Sequence, residues 1–328
     1  MQARQLVFPD KGRCEIEAID INEKLEDEQV LVKNAVSLVS AGTELAMFTR
    51  THRGFDEPDF GYAKYPFRPG YAAVGEVLAV GDGIESVRER DMVVHSGFHA
   101  THGVITEDQC AKLPHDITPK RAAFYRLAIV SITAPLLAPA VLGESAVIVG
   151  AGIVGNLCAQ LYRSAGAGTV AVADLMPRRL NKAVENGIDL IFNTEEKPLK
   201  EWAEDLGPRG AELVIEAVGI PATIEMSLKA VAPKGRVVLL GSPRVNMEVD
   251  PYFDIHVKGV QLIGAHGHCV SSEDRQRTEP YLLNMLARNQ LKVDNLITQE
   301  MPFENALEAF EGLRDKKDEY LGVILTYT

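Results

Sequence analysis

Cysteine is scarce in this 328-residue chain. The four present, Cys14, Cys110, Cys158 and Cys269, are widely separated, and no two form a CxxC pair. That spacing disfavours a disulfide framework and a cysteine-built zinc finger. Excess positive charge is lacking too, since 34 Lys and Arg face 46 Asp and Glu for a net of −12. With no basic surplus to neutralise phosphates, neither nucleic acid nor an anionic membrane is an expected partner. The longest apolar run, residues 127–142, is shorter than the ~20 residues of a spanning helix. Pro135 and Pro139 interrupt it, so it reads as buried helical segments. Residues 1–16 carry Arg4, Asp10, Lys11 and Arg13 and no apolar leader segment, which makes cytoplasmic residence the default expectation.

What is present is ordinary globular material, 46% hydrophobic and 24% charged, which excludes a wholly disordered or collagen-like chain. At about 150 residues per domain, the length predicts about two domains. The first part reads as β-rich. Residues 29–36 alternate apolar with polar, and 74–80 and 92–95 are short β-type runs bounded by Gly70, the Gly81-Asp82-Gly83 cluster and Gly97. Residues 51–69, rich in Gly, Pro, Asp and aromatics, predict an exposed loop.

The rhythm changes near residue 144. Six apolar runs follow, at 145–149, 169–173, 190–192, 212–217, 236–240 and 260–264, separated mostly by helical patterns. These predict βαβ units and a parallel sheet buried on both faces, an α/β doubly wound fold. Helices are expected over 153–165, 177–186, 198–206, 222–231, 279–289 and 303–313, with a closing strand at 323–325 that returns to complete the first domain.

The strongest motif is Gly150-Ala151-Gly152-Ile153-Val154-Gly155, directly after an apolar run and opening a helix. Asp174 stands nineteen residues after Gly155, at the end of the next run, close to the ~20-residue spacing of a dinucleotide site. Gly150 permits the tight turn, Gly152 lets backbone approach a pyrophosphate, and Gly155 lets helix and strand pack closely. The amides of Ile153 and Val154 open the helix whose N-terminus receives the phosphates. Asp174 would accept the adenosine ribose hydroxyls and repel a 2′-phosphate, so NAD is expected over NADP. Arg178 or Arg179 would lie over the adenine or meet a 2′-phosphate; the alternative is a pair of solvated helix charges. Gly219 and Gly241, past the fourth and fifth runs, complete the expected cofactor-binding set.

Taken together, the chain resembles the medium-chain dehydrogenase/reductase family. Ala41-Gly42-Thr43-Glu44 is similar to its Cys-Gly-Thr-Asp, and Pro69-Gly70-Tyr71-Ala72-Ala73-Val74-Gly75 to its Pro-Gly-His-Glu-x-x-Gly. Arg90-Asp91-Met92-Val93-Val94 is similar to Gly-Asp-Arg-Val-Val, and 302–306 with 321–325 to the closing segment. The resemblance implies a Rossmann six-stranded sheet (127–270) inserted into a β-rich GroES-like catalytic domain (1–126 plus 271–328), with substrate in the cleft between them. It also implies a homodimer or homotetramer associating through the edge strand at 260–264. In zinc-bearing members the Cys of the first motif and the His and Glu of the second surround the metal. Here Ala41, Tyr71 and Ala72 take those positions, and Tyr125-Arg126 takes the place of the further ligand. Methyl groups cannot ligate zinc, and the structural zinc lobe is reduced to Cys110, so no metal is expected. The variants look most like a subgroup that includes bacteriochlorophyllide a dehydrogenase.

Hydride transfer then needs a side-chain donor for the developing alkoxide. The resemblance puts Thr43 at the family's hydroxyl relay position; the other reading is a turn hydroxyl satisfying backbone. Tyr71 stands where a zinc-binding His would point into the cleft, and its phenol either donates to a substrate oxygen or plugs the metal pocket. Glu44 is the third catalytic candidate, with a structural hydrogen-bonding role as its alternative. Arg126 would bind a substrate carboxylate or phosphate or pair with a nearby acid, and Tyr125 is a weaker candidate beside it. His95, His99 and His102 have helical spacing, but Gly97 and Gly103 argue for a strand ending in a loop. That leaves His99 and His102 as cleft-lining candidates and a three-histidine metal site as the alternative. His266 and His268 follow the sixth run, where they would face nicotinamide or substrate, or simply form a loop.

The reading that follows is an NAD(H)-dependent, zinc-independent oxidoreductase acting on a secondary alcohol: a sugar, a polyol or an alicyclic. The alternatives are a zinc-free reductase of an enone or quinone and a catalytically silent nucleotide-binding protein.

Overall fold

The computed structural model describes residues 1–57 and 59–327; Pro58, inside the expected loop, and Thr328, at the end of the expected first domain, lie outside. The chain forms two compact units, Met1–Arg126 with Leu282–Thr328, and Leu127–Tyr281. Among the described residues, no helix is long and apolar enough to cross a membrane.

The first unit is built on a sheet ordered Ile297–Pro302, Gly322–Thr326, Gln29–Leu38, Ala73–Val80, Met92–His95 and Cys110–Lys112, with His102–Thr106 also paired to Gln29–Leu38. A two-stranded ribbon, Gln2–Val7 with Glu15–Asp20, accompanies it; its outward-facing polar residues hid it from periodicity. The tail strand Gly322–Thr326 pairs antiparallel with Gln29–Leu38, so the chain end does return to the first unit's sheet. Helix Thr43–Phe48 buries Ala46, Met47 and Phe48. Phe8 meets Phe310 edge-on at 4.9 Å and Phe48 at 5.4 Å in the core beneath. Each such buried side chain contributes about 1.5–3 kcal/mol by leaving water.

The second unit holds the six-stranded sheet, ordered Leu190–Asn193, Thr169–Asp174, Ser145–Val149, Ala211–Glu216, Val231–Leu239 and Gln261–Gly264, all parallel. Numbered along the chain, this is the 3-2-1-4-5-6 order of a dinucleotide-binding sheet. Alternation assigns its two faces. Ala146, Ile148, Val170, Val172, Leu213 and Ile215 join one buried cluster. Val147, Val149, Ala171, Ala173, Val214 and Val237 join the other. Both faces are dry, which is why the strands read as unbroken apolar runs. Helices Ile153–Ser164, Pro177–Glu185, Leu199–Glu204 and Pro221–Ala230 follow the first four strands. Two of them begin on a proline whose missing N–H costs a helix start nothing.

The helix expected over 279–289 is longer, Ser272–Ala287. Its first turns, SEDRQRTE, have no apolar face to read. They are set instead by Ser271, whose hydroxyl accepts the Asp274 N–H at 3.1 Å. The dividing point between the units falls inside this helix, at Tyr281, rather than at residue 270.

Candidate functional site

In the second unit, the first strand ends at Val149 and the chain turns sharply through Gly150, whose φ is +104°. A side chain at Gly155 would begin 1.8 Å from the Gly150 carbonyl oxygen, so helix Ile153–Ser164 approaches the strand end as only glycine allows. Gly152 caps the helix with no side-chain bond, and nothing lies within 4 Å of where its Cβ would stand. The first helical N–H groups are therefore left for an anion. Asp174, at the end of strand Thr169–Asp174, accepts the Ala151 N–H at 2.7 Å through one oxygen and the Met176 N–H at 2.9 Å through the other. Each oxygen keeps a further lone pair for a ribose hydroxyl. Arg179 is half-buried and Arg178 exposed in the first turn of helix Pro177–Glu185.

Gly219 and Gly241 meet back to back; a Cβ on Gly241 would stand 2.4 Å from the Gly219 nitrogen. The residue that organises them is Glu216, which the sequence reading passed over. It is fully buried at the end of strand Ala211–Glu216. Its Oε1 accepts from Val218 N at 2.8 Å, Gly219 N at 2.8 Å and Thr223 Oγ1 at 2.7 Å. Its signal is an acid directly after the apolar stretch Leu213-Val214-Ile215. This donor-rich, glycine-lined strand end fits a dinucleotide.

In the first unit a pocket of about 490 Å³ is lined by Glu44, Tyr71, Gly70, Tyr62, Phe67 and Phe98, among others. The wall from Gly61 to Arg68 belongs to the segment read as a loop. The Tyr71 phenol is bonded to the Ser40 hydroxyl and to the Thr43 side chain. Burial, reinforced by the Glu44 charge, pushes that phenol up to about 12, against the pull of the two hydroxyls. Tyr71 is therefore a protonated donor at neutral pH.

Glu44 is 1% exposed. Its Oε1 accepts the Ser40 N–H at 3.3 Å, and its Oε2 lies 2.8 Å from His99 Nε2. His99 is fully enclosed, so it backs the pocket and does not line it. Its Nδ1 lies 2.7 Å from Ser37 Oγ, which lies 2.7 Å from the Tyr327 hydroxyl. Thr43, Glu44 and Tyr71 are thus brought together, with His99 behind them.

Other candidates fall elsewhere. His95 ends strand Met92–His95 and is buried against Asn34, while half-buried His102 begins strand His102–Thr106 beside Thr101. Neither lines this pocket, because backbone pairing of the two strands sends the three histidines to different neighbours. Tyr125 is buried and Arg126 half-buried at the start of helix Tyr125–Leu137, and they do not line it either. His266 and His268 are exposed with rings 4.6 Å apart, and His266 accepts the His268 N–H at 3.2 Å, as a loop cap does.

The donor set does not fit a catalytic zinc, which needs about three nitrogen, sulfur or oxygen ligands. Ala41 and Ala72 offer methyl groups and the Tyr71 phenol is held protonated, which leaves Glu44 as the one carboxylate among the residues that line the pocket. Among the described residues, no three His, Cys, Asp or Glu are placed to hold a metal. Burial pushes the Cys14 thiol up to about 12 and the Cys110 thiol to about 11, and it raises Cys158 as well. None of these three is a thiolate at neutral pH.

Residues 154–288 match the pattern of the zinc-binding dehydrogenase family. The chain is 32% identical to sorbitol dehydrogenase from Homo sapiens over 208 residues, 62% of this chain and 56% of that one. The match therefore spans little more than half of that relative's length. It is 26% identical to L-threonine 3-dehydrogenase from Idiomarina loihiensis over 76% of this chain and 80% of that one. The fold matches the crystal structure of galactitol-1-phosphate dehydrogenase from Escherichia coli with a TM-score of 0.86, at 22% identity, over 98% of this chain and 99% of that one.

Proposed function

We propose that the chain, similar over residues 154–288 to the zinc-binding dehydrogenase family and in fold to alcohol dehydrogenase-like enzymes, is a member of the medium-chain dehydrogenase/reductase superfamily and, from that premise, an NAD(H)-dependent, zinc-independent oxidoreductase of secondary alcohols. The observation that carries this reading is Tyr71, a protonated phenol between two hydroxyls at a pocket whose metal-ligand positions hold Ala41 and Ala72. A hydrogen bond from that phenol stabilises the oxygen of an alkoxide as charge develops on it, the role a metal would otherwise fill.

The dinucleotide, when bound, supplies the hydride chemistry. The amides after Gly152 would hold its pyrophosphate, and Asp174 its adenosine ribose. A carboxylate at that position disfavours a 2′-phosphate, which supports NAD over NADP. The named activities of the relatives, on sorbitol, threonine and galactitol 1-phosphate, support a small open-chain hydroxy compound such as a polyol as substrate. The rings of Tyr62, Phe67 and Phe98 at the pocket support a substrate with an apolar ring face.

All four cysteines are free thiols, which supports a reducing, cytoplasmic setting. Among the described residues the outer strand Gln261–Gly264 pairs on one side only, and Leu262 and the nearby Tyr252, Phe253 and Val257 are exposed. This supports a homodimer or homotetramer closed through that edge.

The test is an initial-rate screen of polyols, sugars and cyclic alcohols with NAD and with NADP, with metal content measured on the same sample. NADH formation by metal-free protein is expected. NADPH consumption with enones or quinones and none with alcohols would replace this reading with a reductase. Near-stoichiometric zinc whose removal abolishes turnover would overturn the zinc-independent part.

A further inference from the structure

Hydride transfer moves two electrons at carbon and leaves one proton to be handled at oxygen. The groups that donate to the substrate oxygen do not explain the polar chain buried behind them. Glu44, His99 and Ser37 are almost wholly enclosed, where unpaired polar groups are costly. They are joined without a gap: Glu44 Oε2 to His99 Nε2 at 2.8 Å, His99 Nδ1 to Ser37 Oγ at 2.7 Å, and Ser37 Oγ to the Tyr327 hydroxyl at 2.7 Å. One end borders the pocket, and the other is Tyr327, a half-buried residue whose hydroxyl is itself desolvated by burial. Carboxylate, imidazole, hydroxyl and phenol can each accept one proton and pass on another.

We propose that Glu44, His99, Ser37 and Tyr327 form a proton relay between the substrate oxygen and the medium. The proposal rests on the oxidoreductase reading above. With Glu44 as the acceptor the chain is oriented: His99 Nε2–H donates to Glu44, Ser37 O–H to His99 Nδ1, and Tyr327 O–H to Ser37. Every donor is aimed at the pocket.

In carbonyl reduction the carbonyl carbon gains a hydride and its oxygen must gain a proton. The His99 Nε2 proton passes to Glu44, and Glu44 gives it to the substrate oxygen. The Ser37 proton replaces it at His99 Nδ1, the Tyr327 proton replaces that one at Ser37, and water reprotonates Tyr327. Reduction leaves His99 with its proton on Nδ1, and alcohol oxidation runs the same transfers in reverse from that state: the O–H bond breaks toward Glu44, that proton passes to His99 Nε2, the Nδ1 proton passes to Ser37 and the Ser37 proton to Tyr327, from which one proton leaves. The titratable and charged groups beside the relay are Tyr71 at its pocket end and Glu304, paired with Arg4, near Tyr327. Glu44 is thereby a catalytic residue, and His99, Ser37 and Tyr327 act through it.

The test uses the full-length protein and the best alcohol and carbonyl pair from the screen. Tyr327→Phe and Ser37→Ala remove relay hydroxyls without altering the pocket lining. Folding is checked by thermal melting, and cofactor binding by NADH fluorescence. The expected result is a fall in kcat of at least about tenfold in each variant, with KM for NAD(H) unchanged. The kcat–pH profile should be displaced, and the solvent deuterium isotope effect on kcat should be larger than in the unmutated protein. His99→Gly, if folded, should recover turnover with added imidazole. Variants with kcat within about twofold of the unmutated protein and an unmoved pH profile and isotope effect would overturn the relay while leaving the oxidoreductase reading standing. No turnover of any alcohol or carbonyl by the unmutated protein would sink that reading, and the relay with it.

Discussion

Asp174 grips the turn it serves: its Oδ2 accepts the Ala151 N–H at 2.7 Å, inside the glycine loop that Asp174 is expected to complement. On the proposed reading one carboxylate has two duties, holding the loop in shape and discriminating a ribose from its 2′-phosphate.

The duties separate by substitution. Asp174→Asn removes the charge and keeps one acceptor oxygen, enough for the Ala151 N–H or the Met176 N–H but not for both, whereas Asp174→Ala removes the charge and both acceptors. We expect the asparagine variant to lose less melting temperature than the alanine variant and to lose most of the preference for NADH over NADPH in fluorescence titrations. The alanine variant should lose the preference and also about 1 kcal/mol or more of stability, because a buried backbone donor loses its partner. Tighter binding of NADPH than NADH by the unmutated protein would contradict the assignment.

Gly155 gives a second test of the loop. An alanine there would put Cβ 1.8 Å from the Gly150 carbonyl oxygen, which is rigid backbone. Helix and strand must separate, at a cost of roughly 1–3 kcal/mol or more. Gly155→Ala should lower the melting temperature and abolish dinucleotide binding together. Gly152→Ala, whose Cβ meets nothing within 4 Å, should leave the melting temperature unchanged and weaken dinucleotide binding.

The second unit was open to sequence reading because its strands are buried on both faces and its turns need glycine. Apolar runs and Gly150, Gly152 and Gly155 follow directly from those two requirements. The first unit was harder. Strands Gln2–Val7 and Glu15–Asp20 carry mostly polar residues on their open face, and helix Thr43–Phe48 is too short to show a period. Tyr71, Thr43 and Glu44 could be singled out because they stand in a motif. The path from Glu44 through His99 to Ser37 and Tyr327 could not, since these partners are 55, 62 and 290 residues apart in pairwise sequence separation. Glu216 was visible as an acid ending an apolar run, but its function depends on backbone groups that only the folded turn brings within reach.

Tyr71→Phe removes one oxygen and keeps the ring. The Ser40 and Thr43 hydroxyls lose a partner, and a substrate oxygen would lose its donor. We expect kcat to fall about 10²-fold or more, with NADH affinity unchanged, since Tyr71 belongs to the unit without the glycine loop. If Tyr71 were only an aromatic plug, phenylalanine would serve as well and kcat would hold.

The edge strand yields a measurement of assembly. Leu262 is 42% exposed on Gln261–Gly264, whose ladder bonds, among the described residues, reach only Val231–Leu239. A carboxylate there blunts the edge without touching a core. Leu262→Asp should convert a dimer or tetramer into a smaller species by light scattering, with the melting temperature of the isolated chain preserved. A monomer before substitution would contradict association through this edge.

His95 sets a pH limit on the first unit. Its Nδ1 accepts the Gly97 N–H at 3.1 Å, which fixes the proton on Nε2, where it donates to Asn34 Oδ1 at 2.8 Å. Both bonds suit the neutral ring, and burial lowers its pKa from 6.5 to about 4. In the unfolded chain the ring protonates near 6.5, so between that pH and about 4 the unfolded state holds the extra proton. The sign follows: stability is complete above pH 6.5 and falls as pH drops toward 4, by roughly 3 kcal/mol for this one group. Asp91, Asp294 and Glu304 have lowered pKa values through their ion pairs and backbone bonds, so their losses come at lower pH. His95→Gln, with an amide in place of the titrating ring, should be less stable at pH 8 but flatter between pH 6.5 and 4. Urea unfolding at a series of pH values reads the difference. Parallel curves for the two proteins across that range would show that His95 is not the group that protonates on unfolding.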